Sequence, residues 1–183
     1  MNQNKFTLTR EDAVLMIIDI QERLVPVMKY RDQVICNTNI LISTATKLAI
    51  PIIVTEQNPK GLGQTVPELN AGTDIVYEKI TFCGCTKEVL ATLFRLNRRK
   101  IIVVGMETHV CVLQTARSLI KHGYQVFVVG DAVCSRTKAN FKNGLSQMLQ
   151  MGSVVTNTET VFFDLLKQAN TPEFRELLPL VKD

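Results

Sequence analysis

The sequence predicts an α/β fold, a doubly wound, six-stranded parallel sheet with helices on both faces. Six short apolar runs recur along the 183 residues. Within the runs, apolar and polar residues do not alternate, which is typical of strands that are buried on both faces. Longer segments with helical periodicity separate the runs, and this order favours a parallel sheet with right-handed crossovers. The length fits one domain, residues 1–183.

The elements follow from local patterns. The strands are predicted at 13–18, 51–55, 75–77, 101–104, 125–129 and 153–156. The helices are predicted at 34–48, 86–96, 110–122, 138–151, 159–167 and 172–181. Thr86 is a candidate N-cap, and Gly123 and Gly152 are candidate glycines just beyond helix ends.

Composition excludes several classes of protein. The formal charge of +4 is mild, and the densest basic cluster, residues 95–100, falls where a helix should end. Cations there complement the helix dipole and coat a solvated turn. No aromatic stacking platform accompanies them, so we expect no nucleic-acid partner. The first residues precede no apolar run like that of a signal peptide, and no stretch reaches the ~20 residues of a membrane span. We therefore expect a soluble, cytoplasmic protein without a membrane partner.

The five cysteines point to a reducing compartment. Their number is odd and their spacing is irregular, which makes a poor disulfide framework. They are Cys36, Cys83, Cys85, Cys111 and Cys134. Cys83 and Cys85, separated by one glycine, are too few and too close together for a zinc site, which needs four ligands.

Candidate catalytic residues follow from the rule that ligands bind at the carboxyl ends of the strands in such sheets. Asp19 leaves the first strand, Lys79 follows the third, and the segment from Gly105 leaves the fourth. Cys111 then lies in the first helical turn, where the helix dipole and unpaired N–H groups favour the reactive thiolate and could bind an oxyanion.

Each of these residues also has a structural interpretation. Cys111 could be a buried structural cysteine, Asp19 a cap or turn residue, and Lys79 an exposed lysine. The catalytic interpretation depends on the three occurring together at strand ends. Lys79 would then hold Asp19 and Cys111 in their anionic forms, because an opposite charge within ~4–6 Å lowers the pKa of an acid by about 1–3 units. Asp19 would carry the thiol proton to the leaving group.

Five motifs resemble the isochorismatase-like cysteine hydrolases, a family that includes nicotinamidases. They are IDIQ at 18–21, KITF at 79–82, GMETHVCV at 105–112 followed by QTA at 114–116, GYQV at 123–126, and DAVCS at 131–135. The resemblance covers residues 14–159. The motif at 105–112 is the strongest; the stretch Asp19-Ile20-Gln21 is weak by itself, but the ordered set is specific to the family.

The resemblance implies an Asp-Lys-Cys triad, which maps onto Asp19, Lys79 and Cys111. It also implies a cis peptide bond between Met106 and Glu107, with the backbone amides of Glu107 and Cys111 forming the oxyanion hole. The same resemblance implies the doubly wound sheet and a homo-oligomer, whether dimer, tetramer or higher.

Within the family, residues 55–69 resemble the isochorismatase-domain-containing branch, whose substrates are poorly defined. The metal-dependent nicotinamidases carry histidines after the second strand, and this chain has none there. We therefore expect no metal and no cofactor. The segment could be a structured loop, but its position favours the pocket wall. Candidate substrate-binding residues are Gln57, Phe82 and Thr108.

The resulting expectation is a cysteine hydrolase that cleaves an amide or carbamoyl C–N bond of a small molecule through a thioester, and not a peptide bond. Two alternatives remain. One is ether hydrolysis of the isochorismatase type, which does not depend on a cysteine nucleophile. The other is a binding or scaffold protein that has kept the fold without turnover.

Overall fold

The computed structural model describes residues 3–69 and 75–182. The strands are Ala13–Ile18 (β1), Ile52–Gln57 (β2), Val76–Lys79 (β3), Lys100–Met106 (β4), Gln125–Cys134 (β5) and Val154–Thr156 (β6). They form one sheet in the order β3-β2-β1-β4-β5-β6, and every neighbouring pair is parallel. The predicted doubly wound α/β fold is confirmed. The strand order reverses between β1 and β4, which is where ligands bind in open sheets of this type.

The helices cover both faces of the sheet. They are Arg31–Lys47 (α1), Pro59–Leu62 (α2), Lys87–Leu96 (α3), Leu113–Lys121 (α4), Lys138–Gln150 (α5), Thr158–Leu166 (α6) and Pro172–Leu177 (α7). Short 3-10 turns at Gln3–Phe6, Val25–Val27 and Leu178–Leu180 complete the described secondary structure, together with a π-helical turn at Thr108–Val112. Within the described residues, no helix is long and apolar enough to cross a membrane.

Strand β1 shows why the core is divided in two. Successive side chains of a strand point to opposite faces. Leu15 and Ile17 accordingly join the apolar cluster with α1, α6 and α7, whereas Met16 and Ile18 join the cluster with α3, α4 and α5. All six residues of β1 are buried, which explains its unbroken apolar run.

Helix ends agree with the predicted signals. The Thr86 hydroxyl accepts the Val89 N–H at 3.3 Å, as an N-cap does. Gly123 and Gly152 have φ values of 82° and 95°, beyond the ends of α4 and α5. The prediction was incomplete elsewhere: α2 was missed, because Pro59 and Gly61 were interpreted as a loop.

The basic cluster at 95–100 is not wholly a solvated turn, which corrects the sequence interpretation. Lys100 is the first residue of β4 and is buried. Its ammonium group donates to the Thr7 carbonyl at 2.6 Å. Arg98 donates to the Ala13 carbonyl at 3.0 Å. Both cations therefore bind main-chain oxygens at the amino-terminal end of the sheet, which leaves them less available to a polyanion.

Candidate active site

Asp19 lies at the carboxyl end of β1 in a left-handed backbone conformation, with φ of 53°. Its amide donates to the Thr55 carbonyl at 3.1 Å, and its Oδ1 accepts the Thr55 hydroxyl at 2.8 Å. The side chain is fully buried. Strand β2 therefore holds the carboxylate at both its main chain and its side chain, so Asp19 is a fixed group and not a simple turn residue.

Lys79 is the last residue of β3, and its side chain is also fully buried. Its Nζ donates to Asp19 Oδ2 at 2.6 Å and to Gln57 Oε1 at 2.7 Å. The carbonyls of Thr81 and Phe82 lie 3.3 Å away. The interpretation of Lys79 as an exposed lysine is therefore wrong. A buried ammonium is costly unless such partners satisfy it.

Gly105 allows β4 to approach β1 at the site. Its φ is +124°, and a Cβ built on it would lie 2.0 Å from the Ile18 carbonyl oxygen. Any other residue would overlap the backbone immediately before Asp19. The absence of a side chain here brings the segment that carries Cys111 close to the end of β1.

The segment after β4 forms a tight turn that carries Cys111. The Met106–Glu107 peptide bond is cis, at the position that the family resemblance implied. The Glu107 carbonyl accepts the amides of Val110 and Val112 at 3.0 and 3.3 Å. The Glu107 carboxylate accepts the Arg136 amide at 2.9 Å and its Nε at 3.2 Å. The turn is therefore anchored at both the main chain and the side chain of Glu107.

Cys111 lies in the π-helical turn that precedes α4, with 6% of its surface exposed. Burial raises the pKa of its thiol to about 12, and the charge of Asp19 adds to this effect while Lys79 opposes it. The expectation that the helix start and Lys79 favour a resting thiolate is therefore wrong. Loss of hydration and the neighbouring carboxylate outweigh both effects.

Burial and the neighbouring charge of Lys79 also have opposite effects on the pKa of Asp19. Burial raises the pKa of its carboxyl, while the charge of Lys79 and hydrogen bonds from Lys79, Cys111 and Thr55 lower it less. The prediction that Lys79 dominates and lowers the pKa of Asp19 is therefore wrong. A carboxylate with a raised pKa is a better proton acceptor, and it hydrogen-bonds to the Cys111 thiol. The three residues are thus brought together as predicted, but as thiol, carboxylate and ammonium.

Thr115 links the Cys111 turn to the β3–α3 loop, residues 80–86. Its hydroxyl donates to the Cys111 carbonyl at 2.6 Å and accepts the Gly84 amide at 2.7 Å. The loop that contacts Lys79 is therefore bonded to the helix that follows Cys111.

The three candidate substrate-binding residues differ in their environment. Gln57 has both ends of its carboxamide engaged, since Oε1 accepts Lys79 Nζ and Nε2 donates to the Ile80 carbonyl at 2.6 Å. Phe82 is 53% exposed. The Thr108 hydroxyl is buried and has no hydrogen-bond partner among the described residues.

Sequence reasoning missed the role of Gln21. It is fully buried, and its Oε1 accepts the Gln57 amide at 2.7 Å. Its Nε2 donates to the carbonyls of Gln57 at 3.1 Å and Gly63 at 2.6 Å. Gln21 thus fixes the end of β2 against β1. Its place two residues after Asp19, as the last residue of the IDIQ motif, was the available signal.

The two histidines have local partners. His109 Nδ1 lies 3.0 Å from the Ser135 hydroxyl, and His122 Nδ1 lies 2.8 Å from the Ser118 carbonyl. The second contact joins His122, just beyond α4, to a carbonyl in the last turn of that helix. In the part of the chain that the structure describes, no group of three or more His, Cys, Asp or Glu side chains could hold a metal ion.

Comparisons with known proteins cover nearly the whole chain. A family model described as the isochorismatase domain matches residues 13–160. Isochorismatase domain-containing protein 2 of Xenopus laevis is 36% identical over 177 residues, which cover 96% of this chain and 86% of that protein. The MAR1 ribonuclease structure from Caenorhabditis elegans superposes with a TM-score of 0.91 at 36% identity, covering 96% of this chain and 92% of that one.

A more distant solved structure shows the fold alone. The YcaC gene product of Escherichia coli, described as an octameric hydrolase of unknown specificity, superposes with a TM-score of 0.87 at 23% identity. The superposition covers 95% of this chain and 90% of that one.

Proposed function

The chain belongs to the isochorismatase domain family, and from that premise we propose that it is a cysteine hydrolase. The bond that it cleaves is the amide or carbamoyl C–N bond of a small molecule, through a thioester. The observation that carries the proposal is the buried contact of Asp19 with both Lys79 and the Cys111 thiol. A nucleophile that hydrogen-bonds to a base, which is itself held by a third group, is the arrangement that covalent catalysis requires.

In the first half of the reaction, the sulfur of Cys111 attacks the substrate carbonyl as its proton moves to Asp19. Transfer during the attack is needed because the raised pKa keeps the resting group a thiol. The amides of Glu107 and Cys111 stabilise the oxyanion, since donors held in place before reaction need no reorganisation. The protonated Asp19 then returns the proton to the leaving amine or ammonia, which leaves an acyl group on sulfur.

In the second half, water attacks the thioester. Asp19, ionised again, accepts a proton from this water, and Cys111 recovers its proton as the acid leaves. Lys79 holds Asp19 at 2.6 Å in both halves of the reaction. We propose that Gln57 positions Lys79, because both ends of its carboxamide are engaged within the protein.

We propose that Thr108 and Phe82 contact the substrate. The Thr108 hydroxyl is buried without a described partner, so a polar group of the substrate could satisfy it. Phe82 offers an exposed ring on the loop whose carbonyls accept from Lys79.

We also propose a homo-oligomer, because the YcaC gene product, whose fold this chain shares, is described as octameric. Phe94 on α3 is 81% exposed, and it is the side chain that we propose a second copy contacts. Sedimentation analysis should give a mass above 20.5 kDa; a monomer at micromolar concentration would contradict this.

The test is ammonia release from a panel of small amides, ureas and carbamoyl compounds. Cys111→Ala should lower turnover at least about 1000-fold, as loss of a nucleophile does. Cys36→Ala, which changes an exposed cysteine on α1, is the matched control and should retain full activity. Full turnover by Cys111→Ala would refute the thioester.

Two further arms separate the alternatives. Cleavage of a vinyl ether that survives Cys111→Ala but not Asp19→Asn would identify ether hydrolysis instead. An RNA substrate is also tested, because the similar structure from Caenorhabditis elegans is described as a ribonuclease. Absence of turnover in every arm would favour the scaffold alternative.

A further inference from the structure

The β3–α3 loop contains a pair of cysteines, Cys83 and Cys85, which the proposed hydrolysis does not use. The Cys85 amide donates to Cys83 Sγ at 3.4 Å. The two thiols hydrogen-bond to each other, and the Ser118 hydroxyl of α4 contacts both. Both cysteines are partly exposed, so small solutes can reach them.

The loop holds the two cysteines in a suitable geometry. The Gly84 amide donates to the Thr115 hydroxyl, and the Thr81 hydroxyl donates to the Cys83 carbonyl at 2.9 Å. Residues two apart span at most about 7 Å when extended, and this chain bends through residues 80–84. Two residues this close in sequence have a Cα separation within or near the roughly 4.4–6.8 Å that a disulfide needs.

The two sulfur atoms differ in their ionisation. The hydrogen bond from Cys85 is the largest cause that lowers the pKa of Cys83 to about 6, and Lys79 contributes, while burial opposes. The pKa of Cys85 is raised by its hydrogen bond to Cys83 and by burial. Cys83 is therefore the member of the pair that ionises more readily to the reactive thiolate, and Cys85 is the member that holds its proton more tightly.

We propose that Cys83 and Cys85 form a hydroperoxide-reactive dithiol site that closes to a disulfide within the loop. The Cys83 thiolate attacks the terminal peroxide oxygen, the O–O bond breaks, and the departing oxygen takes a proton. This step oxidises Cys83 to a sulfenic acid and reduces the peroxide. The Cys85 sulfur then attacks the sulfenic sulfur, the S–O bond breaks, and water leaves with the Cys85 proton. Two thiols and one hydroperoxide thus give one disulfide, one alcohol or water, and one further water.

Cys111 does not compete for the oxidant on equal terms. It is nearly buried, and burial raises the pKa of its thiol to about 12. The hydroperoxide therefore oxidises the cysteines of the loop before it oxidises Cys111. Since the Thr81 and Phe82 carbonyls of this loop contact Lys79, the disulfide forms within the segment that holds the catalytic ammonium.

The test is titration of the full chain with hydrogen peroxide at pH 7, followed by thiol blocking, tryptic digestion and mass analysis. The tryptic peptide 80–87 contains both cysteines and no other. It should lose two hydrogen atoms and take no blocking reagent. Cys36, in peptide 32–47, is the internal control and should react at least about 3-fold more slowly.

Two single variants distinguish the roles. Cys85→Ser keeps a hydrogen-bond donor beside Cys83 but cannot close the disulfide, so dimedone should trap a sulfenic acid at Cys83. Cys83→Ser should remove the rapid reaction from the peptide. The proposal is overturned if peptide 80–87 stays reduced while Cys36 oxidises, or if Cys83→Ser reacts as fast as the native chain. Every readout is a mass, so failure here leaves the proposed hydrolysis unaffected.

Discussion

Replacing Asp19 by Asn should make Cys111 react faster with an alkylating reagent but should largely abolish its hydrolysis of substrate. The carboxylate raises the pKa of the thiol through its charge and its hydrogen bond, whereas Lys79 lowers it. In Asp19→Asn the positive charge remains without its counter-charge. Alkylation of Cys111 by iodoacetamide should therefore become faster, while hydrolysis is lost with the base.

The size of the effect follows from the geometry. A charge at contact distance shifts a pKa by about 1–3 units, and each unit multiplies the thiolate fraction by about ten at a pH well below the pKa. A less basic thiolate is also a weaker nucleophile, with a Brønsted coefficient of about 0.4–0.5. The net acceleration of alkylation is therefore about 3- to 60-fold. Hydrolysis should fall by about 100- to 10,000-fold, the usual contribution of a general base.

The assay measures both rates on the same preparation at pH 7. Brief iodoacetamide treatment and tryptic digestion follow Cys111 in peptide 101–117, with Cys36 in peptide 32–47 as the internal reference. Asp12→Asn is the matched control, because Asp12 precedes β1 at the opposite end of the sheet. It should leave both rates unchanged. Circular dichroism checks that each variant is folded.

One result would refute the charge assignment. If alkylation of Cys111 in folded Asp19→Asn is unchanged or slower while Cys36 reacts as before, Lys79 does not act as a cation beside the thiol.

Three other predictions concern stability and pH. Gly105→Ala should lower the free energy of unfolding in urea by more than about 3 kcal/mol, because the new Cβ meets the Ile18 carbonyl; Gly123→Ala, with positive φ but open space, should lose only about 1 kcal/mol. Thr115→Val removes a hydroxyl with two hydrogen bonds and should lower the same free energy by about 1–3 kcal/mol. Turnover should fall as acidification protonates Asp19, with a midpoint above the usual ~3.9; a midpoint at or below that value would contradict the raised pKa.

The sequence predicted the layout of the site because its three residues are placed by strand order. Asp19, Lys79 and Cys111 each follow an apolar run, and a doubly wound sheet brings such ends to one edge. Local patterns sufficed for this, as they did for the Thr86 cap and the glycines after α4 and α5. Predicting the fold required no knowledge of side-chain contacts.

The protonation states of the site residues could not be predicted from the sequence in the same way. Whether Cys111 is thiol or thiolate depends on how much water reaches it, and burial is a property of the assembled tertiary structure. Gln21 was missed for a related reason, since its three hydrogen bonds join β1 to residues 36 and 42 positions away. The burial of Lys100 also follows from a tertiary contact, with Thr7.

The buried pair of Asp19 and Lys79 has a consequence for the balance of charge during turnover. With a neutral thiol beside it, the site carries no net charge at rest, and moving the thiol proton to Asp19 only transfers the negative charge to the substrate oxygen. Such an internal transfer needs no ion from solution, so the rate should be nearly independent of ionic strength. A neutral substrate preserves this balance, whereas an anionic one would bring an uncompensated charge into a poorly hydrated site. Charge neutrality at the reacting group is therefore the first constraint that the protein places on the molecules it can accept.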